Sequence, residues 1–366
     1  MSLVSNRTSG ICGGVIVCAL LGLPVPGTLA QSAAGQQAAP QPIDVSTLGP
    51  QVGEVVPDFS LQDSQGRVQT RDSIMGPNGA MIVFSRSLDW CPYCKTQSIG
   101  LQSQLSQLTV QGLGVAVITH DSPAVMADFA RRLGITFPLL SDAGSATIKA
   151  YGILNTTVAA DNANYGIPFP GTLVVDRDGR VTQRFFEEAY QERQTVSTIL
   201  LALGSGGTPT TATRVESEHL DVTSYMSDEV VAPGHLFSLV FDVTPDAGLH
   251  VYAPGAVDYR VISFTMDPNP IVTTRPMQYP ESEIYVFEPL DERVPVFQEP
   301  FRLVQTMSVS AARETRAALA GVERVTISGT LEYQACDGLV CYNPQSVPVS
   351  HDISLQQLDT EGTTVN

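Results

Sequence analysis

Charge is scarce in this sequence, and positive charge scarcer still: 16% of the 366 residues are charged, with 20 Lys and Arg against 37 Asp and Glu and a formal net charge of −17. No basic cluster stands out, which argues against a nucleic-acid surface and against docking on anionic lipid. Histidine is equally sparse. His120, His219, His235, His250 and His351 show no metal-ligand spacing, so no metal site is expected. A glycine-rich phosphate loop and a convincing Ser-His-Asp pattern are missing too, and nothing implies a nucleotide cofactor. No apolar run approaches the roughly 20 residues that cross a bilayer.

Apolar residues nevertheless make up 43% of the chain, enough for globular material. The length suggests two domains plus termini. Residues 1–30 read as an export signal: Arg7 supplies positive charge, Ile11 to Leu23 is apolar or glycine, and Thr28-Leu29-Ala30 offers small residues for cleavage. The expected location is therefore a bacterial periplasm or another extracytoplasmic space, with no stable membrane insertion after signal removal. Cys18 follows Val15-Ile16-Val17 rather than small residues, so a lipoprotein is not expected. Signal removal takes Cys12 and Cys18 and leaves four cysteines in two close pairs.

Composition and periodicity divide the rest. Residues 31–50, opening on a Gln/Ala/Pro-rich stretch, form a disordered linker. Residues 51–203 alternate strands and helices, which predicts a central sheet covered by helices. Gly204-Ser205-Gly206-Gly207-Thr208-Pro209 opens a flexible linker over 204–214. Residues 215–357 carry short alternating runs broken by Pro, Gly and Asp, the pattern of an antiparallel β sandwich, and 358–366 form a tail.

The first cysteine pair lies in Trp90-Cys91-Pro92-Tyr93-Cys94-Lys95, between the apolar run Ala80 to Ser85 and a helical pattern over Pro92 to Leu108. A cysteine at such a junction meets the unsatisfied N–H groups of the helix, which favour its thiolate. Pro92 suits the first helical turn because its missing N–H would have had no partner. Cys91 is the expected nucleophile and Cys94 the resolving thiol. A structural disulfide and half a zinc site are the bland alternatives. So small a disulfide loop constrains the unfolded chain little, and zinc would want a second close pair in the same domain.

This segment resembles the active site of the thioredoxin superfamily, and residues from about 53 to 203 resemble its exported redoxin members, relatives of the alkyl hydroperoxide reductase and thiol-specific antioxidant family. Gly53-Glu54-Val55-Val56-Pro57-Asp58-Phe59 is similar to the opening of that family. The resemblance also puts Pro170, in Phe169-Pro170-Gly171-Thr172, where the family carries a cis-proline facing the cysteines. From the residues alone Pro170 is equally a trans loop proline. Two positions depart from the pattern. Leu88 stands where a related peroxiredoxin has Thr or Ser three residues before its reactive cysteine, and Val83 or Ser85 stands where thioredoxin has a buried acid.

The second pair, in Cys336-Asp337-Gly338-Leu339-Val340-Cys341, lies between two strand patterns, so the thiols face each other across a turn. A static disulfide is the plain reading for an exported β domain. The flanking text, Gly329 to Cys336 and Pro344 to Pro348, resembles the N-terminal periplasmic domain of DsbD, an immunoglobulin-like sandwich that passes electrons through such a pair. That resemblance implies that Cys341 exchanges with partners, that Cys336 resolves, and that an aromatic cap loop shields them. Ile284-Tyr285-Val286-Phe287-Glu288-Pro289 is the candidate cap, with Phe287 as its aromatic or as an ordinary core residue.

Together these readings predict an exported thiol–disulfide oxidoreductase with an α/β thioredoxin-like domain followed by an all-β immunoglobulin-like domain. It would exchange with protein thiols and disulfides, and a membrane electron donor is a further candidate partner. A short linker would let the two pairs relay electrons within one chain if they can face each other. A thiol peroxidase and a non-catalytic binding module with permanently closed disulfides are the competing readings.

Overall fold

The computed structural model describes residues 43–287 and 292–362. The expected signal (1–30), most of the first linker, Glu288-Pro289 of the expected cap and the last four residues lie outside the described residues.

In the first half the order is β1 (Ser60–Asp63), β2 (Val68–Thr70), β3 (Gly79–Phe84), α1 (Pro92–Ser103), α2 (Leu105–Val110), β4 (Leu113–Thr119), α3 (Pro123–Leu133), β5 (Leu139–Ser141), α4 (Ala146–Ala150), β6 (Gly171–Val175), β7 (Val181–Phe186), β8 (Arg193–Gln194) and α5 (Val196–Ala202). Seven of these strands form one sheet in the order β2-β1-β5-β4-β3-β6-β7. β3 is buried along its whole length, as a strand covered on both faces must be. Successive side chains leave a strand on opposite faces. Ala80, Ile82 and Phe84 accordingly join a core with Ile118, Ile148 and Tyr151, while Met81 and Val83 join another with Leu101, Phe129 and Ile199. The helix expected over 92–108 breaks at Gln104, whose amide is drawn to Ser197 Oγ (3.0 Å) and Asp228 (3.3 Å).

The second half is rich in sheet: β9 (Thr213–Val215), β10 (Leu220–Met226), β11 (Val230–Val231), β12 (His235–Pro245), β13 (His250–Tyr252), β14 (Ser263–Met266), β15 (Val272–Thr274), β16 (Glu283–Phe287), β17 (Glu292–Phe297), β18 (Phe301–Val309), one short helix α6 (Arg316–Leu319), β19 (Arg324–Tyr333), β20 (Ala335–Cys336) and β21 (Gln345–Leu355). β15-β18-β12-β10-β9 form one sheet, β11-β21-β19-β14 a second and β16-β17-β13-β20 a third. Phe237, Leu239 and Phe241 from the first of these share a single core with Ile327, Leu331, Val349 and Ile353 from the second. The segment read as a cap loop, 284–287, is a strand instead: β16 pairs antiparallel with β17, which satisfies its backbone.

The two halves belong to one packed unit, residues 42–366. β8 pairs in parallel with the start of β12, and the Arg193 N–H donates to Gly234 O at 2.8 Å. Gly234 has φ +85°, and a Cβ there would lie 2.4 Å from Gln191 O, so only glycine permits this approach. The buried Asp228 carboxylate accepts from Thr195 Oγ1 and Ser227 Oγ as well as Gln104, and Arg275 Nη2 pairs with both Glu187 and Glu192 at 2.8 Å. The stretch expected as a flexible linker carries fixed contacts: Gly206 O accepts from Arg302, and Thr208 Oγ1 donates to Asp242. The expected tail returns to the first half, where the ammonium of Lys95, 1% exposed, donates to Glu361 O and faces Asp359.

Because buried polar groups cross between the halves, residues 43–362 are predicted to unfold in one cooperative transition. Asp228→Ala removes the acceptor of one buried and two part-buried donors and should lower stability by about 2–4 kcal/mol. Calorimetry of both proteins checks this, and two well-separated transitions in the parent would contradict it.

Candidate active site

β3 delivers the chain to a loop, 85–90, that is shaped by a residue the sequence reading passed over. Asp121, two positions past β4, accepts from Ser87 Oγ (2.8 Å), the Leu88 N–H (2.6 Å) and Thr119 Oγ1 (2.9 Å). Leu88 is fully buried. The loop ends at Cys91, the N-cap of α1, with Pro92 at its first turn as expected, and the Lys95 N–H closes that turn on Cys91 O at 3.1 Å. Pairing of Phe84 with Gly171 carries Pro170, buried, to the same end of the sheet.

Both thiols are free and buried, Cys91 at 2% exposure and Cys94 at none. Their electrostatics differ from the simple helix-terminus expectation. Burial opposes charge on Cys94, but the S–H of Cys91, the Arg193 guanidinium and the backbone N–H groups of Ser87 and Arg86 outweigh it and bring this thiol down to about 5. The Arg86 N–H stands 3.4 Å and Arg193 Nη2 3.8 Å from Cys94 Sγ. Cys91 is pushed up, first by its hydrogen bond to Cys94, then by burial and by the neighbouring negative charge. The surroundings thus favour charge on the inner sulfur and the proton on the outer.

Only the outer sulfur lines a cleft, of about 790 Å³, that runs between the halves. Trp90, Pro92, Tyr93 and Tyr190 form one wall, Ala311, Ala312, Arg313, Arg316, Leu319 and Ala320 another, and Gln357, Leu358 and Thr360 a third. The Arg86 guanidinium lies 5.1 Å from the Trp90 ring centroid and 4.2 Å from that of Tyr190. Pro170 does not line the cleft. Arg86, Asp121, Arg193 and Tyr190 were not found from sequence. Asp121 had a signal, since a polar residue just past a buried parallel strand sits where α/β sheets place their sites. Arg193 had none, because its pairing with β12 is a tertiary event.

The second pair is closed as a disulfide, Cys336–Cys341. Cys336 is buried and Cys341 exposed. Tyr252 Oη lies 3.0 Å from Cys336 Sγ and 3.4 Å from Cys341 Sγ, with Tyr259 stacked on Tyr252 and Tyr285 against His250. Tyr285 is the β16 aromatic that comes to this site, its hydroxyl within 3.6 Å of a Cβ placed on Gly338. Phe287 sits two residues further on, half-buried, opposite Glu292.

The two pairs stand at opposite ends of the β-rich half. Tyr333 and Gln345 pair next to the disulfide, while ten residues along β21 Leu355 pairs with Val231, and Gln357 and Leu358 then reach the Cys91 cleft. At about 3.3 Å per residue this separates the pairs by on the order of 30 Å. The expected relay within one chain has no direct path in this arrangement.

In the reduced protein, thiolate absorbance near 240 nm should show one ionisation with a midpoint of about 5 and a second displaced above the ordinary thiol range. The first is lost in Cys94→Ser and moves upward in Arg193→Met, because removing the cation removes what favours the charged form. A midpoint unmoved by Arg193→Met would contradict this assignment.

Residues 52–184 match the AhpC/TSA family model. Alkyl hydroperoxide reductase E of Mycobacterium tuberculosis is 31% identical over 138 residues, 37% of this chain and 84% of that protein. Thiol-disulfide oxidoreductase ResA of Geobacillus thermodenitrificans is 27% identical over 131 residues, 36% of this chain and 66% of that protein. A solved structure of peroxidoxin BcpB from Mycobacterium tuberculosis aligns with 43% of this chain and 96% of its own, at 20% identity and a TM-score of 0.37. The thioredoxin-like half, which holds the free Cys91 and Cys94, is that of a thiol oxidoreductase, and through it the chain belongs to the AhpC/TSA family.

Proposed function

We propose that this chain is an exported thiol–disulfide oxidoreductase in which Cys91 exchanges with protein thiols and disulfides and Cys94 resolves the mixed disulfide. The observation that carries the reading is the arrangement of the two sulfurs: Cys91 alone reaches the cleft, and Cys94 lies behind it within hydrogen-bonding reach. The outer sulfur is the one a partner can touch. As it attacks, its proton passes to the leaving partner sulfur, and the thiolate favoured on Cys94 is poised to attack Cys91 in turn. Export is supported by the signal-like residues 1–30 and by the closed Cys336–Cys341 bridge, which suits an oxidising compartment.

The β-rich half fits the resemblance to an immunoglobulin-like DsbD N-terminal domain in one respect that bears on function. Cys341 is exposed, and beside it Leu339 and Val340 are exposed at 92% and 54%. Apolar groups so displayed favour contact with another protein. We assign this pair to exchange with an outside partner, a membrane electron donor being one candidate, rather than to direct exchange with Cys91 of the same chain.

A thiol-peroxidase reading is favoured by the relative named alkyl hydroperoxide reductase E. Cys91 would be oxidised to a sulfenic acid as the peroxide is reduced to an alcohol, and Cys94 would displace water to close the disulfide. Leu88, buried and apolar, opposes it by supplying no side-chain hydrogen bond where a related peroxiredoxin has Thr or Ser.

Cys94→Ser should accumulate mixed disulfides on Cys91 with a disulfide-bonded protein substrate, detected by mass spectrometry, and Cys91→Ser should accumulate none. Peroxide should oxidise Cys91 no faster than free cysteine. Rapid peroxide consumption without any mixed disulfide would overturn the leading reading in favour of the peroxidase. In Cys94→Ser/Cys336→Ser protein, any Cys91–Cys341 bond should form between chains, with a rate that rises with protein concentration. A concentration-independent rate would restore the single-chain relay.

A further inference from the structure

The cleft over Cys91 carries a charge that the rest of the chain does not. The protein is strongly acidic, with a formal net charge of −17. Yet Arg86, Arg313 and Arg316 are among the residues that line this cleft, and no Asp or Glu is. None of the three has a carboxylate partner among the described residues, and Arg86 Nε is buried without a hydrogen bond. Asp89 and Glu188, close in sequence to Arg86 and Tyr190, do not line the cleft. Glu187 and Glu192 hold Arg275, Asp359 and Glu361 lie against Lys95 and Arg132, and Glu314, exposed beside Arg313, does not line the cleft.

The geometry adds a second constraint. Cys91 is 2% exposed, so the flat surface of a folded protein cannot reach its sulfur. A chain thin enough to enter between the walls can. The cations stand on two walls: Arg86 beside Trp90 and Tyr190 on the redox half, and Arg313 and Arg316 on the turn leading into α6. One sulfur with carboxylates to both sides of it satisfies both walls, and a cysteine within an extended acidic segment has that form. Guanidinium groups suit carboxylates because their planar fork donates two parallel hydrogen bonds. We propose that the Cys91 cleft selects protein partners whose reactive cysteine lies in an extended stretch of chain flanked by Asp or Glu. This rests on the disulfide-exchange reading and names its substrate class.

The exchange balances without a further reactant. The Cys91 sulfur attacks one sulfur of the partner's disulfide, the partner S–S bond breaks, and the first partner sulfur leaves and takes up the proton of the Cys91 thiol. Cys94 then attacks the Cys91 sulfur, and the second partner sulfur leaves and takes up a proton from solvent. The pair loses two electrons and closes to a disulfide while the partner disulfide becomes two thiols.

The sole tryptophan of the chain, Trp90, adjoins Cys91 and reports the reaction by its fluorescence. Reduced full-length protein is mixed with symmetrical disulfides of pentapeptides whose central cysteine is flanked by Glu, Gln or Lys. The expected order of rates is Glu, Gln, Lys, against the repulsion that the overall negative charge imposes on the acidic peptide, with the preference shrinking as ionic strength rises. In Arg313→Gln/Arg316→Gln the ratio of Glu-peptide to Gln-peptide rates should fall by about three- to tenfold, the size expected for two exposed ion pairs. Equal rates, or a faster Lys peptide, would overturn the proposal while leaving disulfide exchange intact. A small dianionic disulfide such as 3,3′-dithiodipropionate outpacing the Glu peptide would assign the cleft to small molecules and likewise overturn it. Failure of every disulfide, the Gln peptide included, would instead remove the exchange reading itself.

Discussion

The guanidinium of Arg193 is the point on which this structure turns. Its residue is 4% exposed, its backbone opens the β8–β12 pairing that joins the halves, and its side chain ends 3.8 Å from Cys94 Sγ. A buried cation needs a compensating negative charge, and a buried thiolate needs a cation. Each is supplied by the other, so the docking of the β-rich half and the ionisation of the cysteine pair are two aspects of one electrostatic constraint. Loss of the docking would move the cation and with it the charge on the inner sulfur.

The consequence is an active site that the family-matching segment does not complete alone. Residues 52–184 supply the strand, the loop fixed by Asp121 and the cysteine helix. Arg193, Tyr190 and two further walls of the cleft come from beyond it. The walls narrow the approach to Cys91 and place Arg86, Arg313 and Arg316 along it, which is the basis of the proposed preference for acidic partners. The second cysteine pair has the opposite character. Its outer sulfur is exposed among apolar side chains, with Tyr252 against both sulfurs and about 30 Å of β structure between it and the cleft.

Much of the fold was legible because its elements follow local rules. The strand Gly79–Phe84 and the helix opening at Pro92 stand where the apolar run Ala80 to Ser85 and the helical pattern after it put them. Segments with weaker patterns were passed over. Ser60–Asp63 and Val68–Thr70 are short strands near a sheet edge, and Glu283–Phe287 has no fully buried residue, so the alternation that burial imposes is weak in each. The break at Gln104 was invisible for a different reason: the groups its amide reaches, Ser197 and Asp228, are 93 and 124 residues away.

By itself the sequence determined the chemistry: a Cys-x-x-Cys pair entering a helix behind a buried strand, and a second pair across a hairpin turn. Both are local, since a few consecutive residues fix the backbone that presents the sulfurs. Tertiary structure decided on which sulfur charge is favoured, which one lines the cleft, and how far apart the pairs lie. Those depend on Arg193, on the walls that include Arg313, Arg316, Gln357 and Leu358, and on the length of β21. Electrostatic and steric fields act through space, and no spacing along the chain records them.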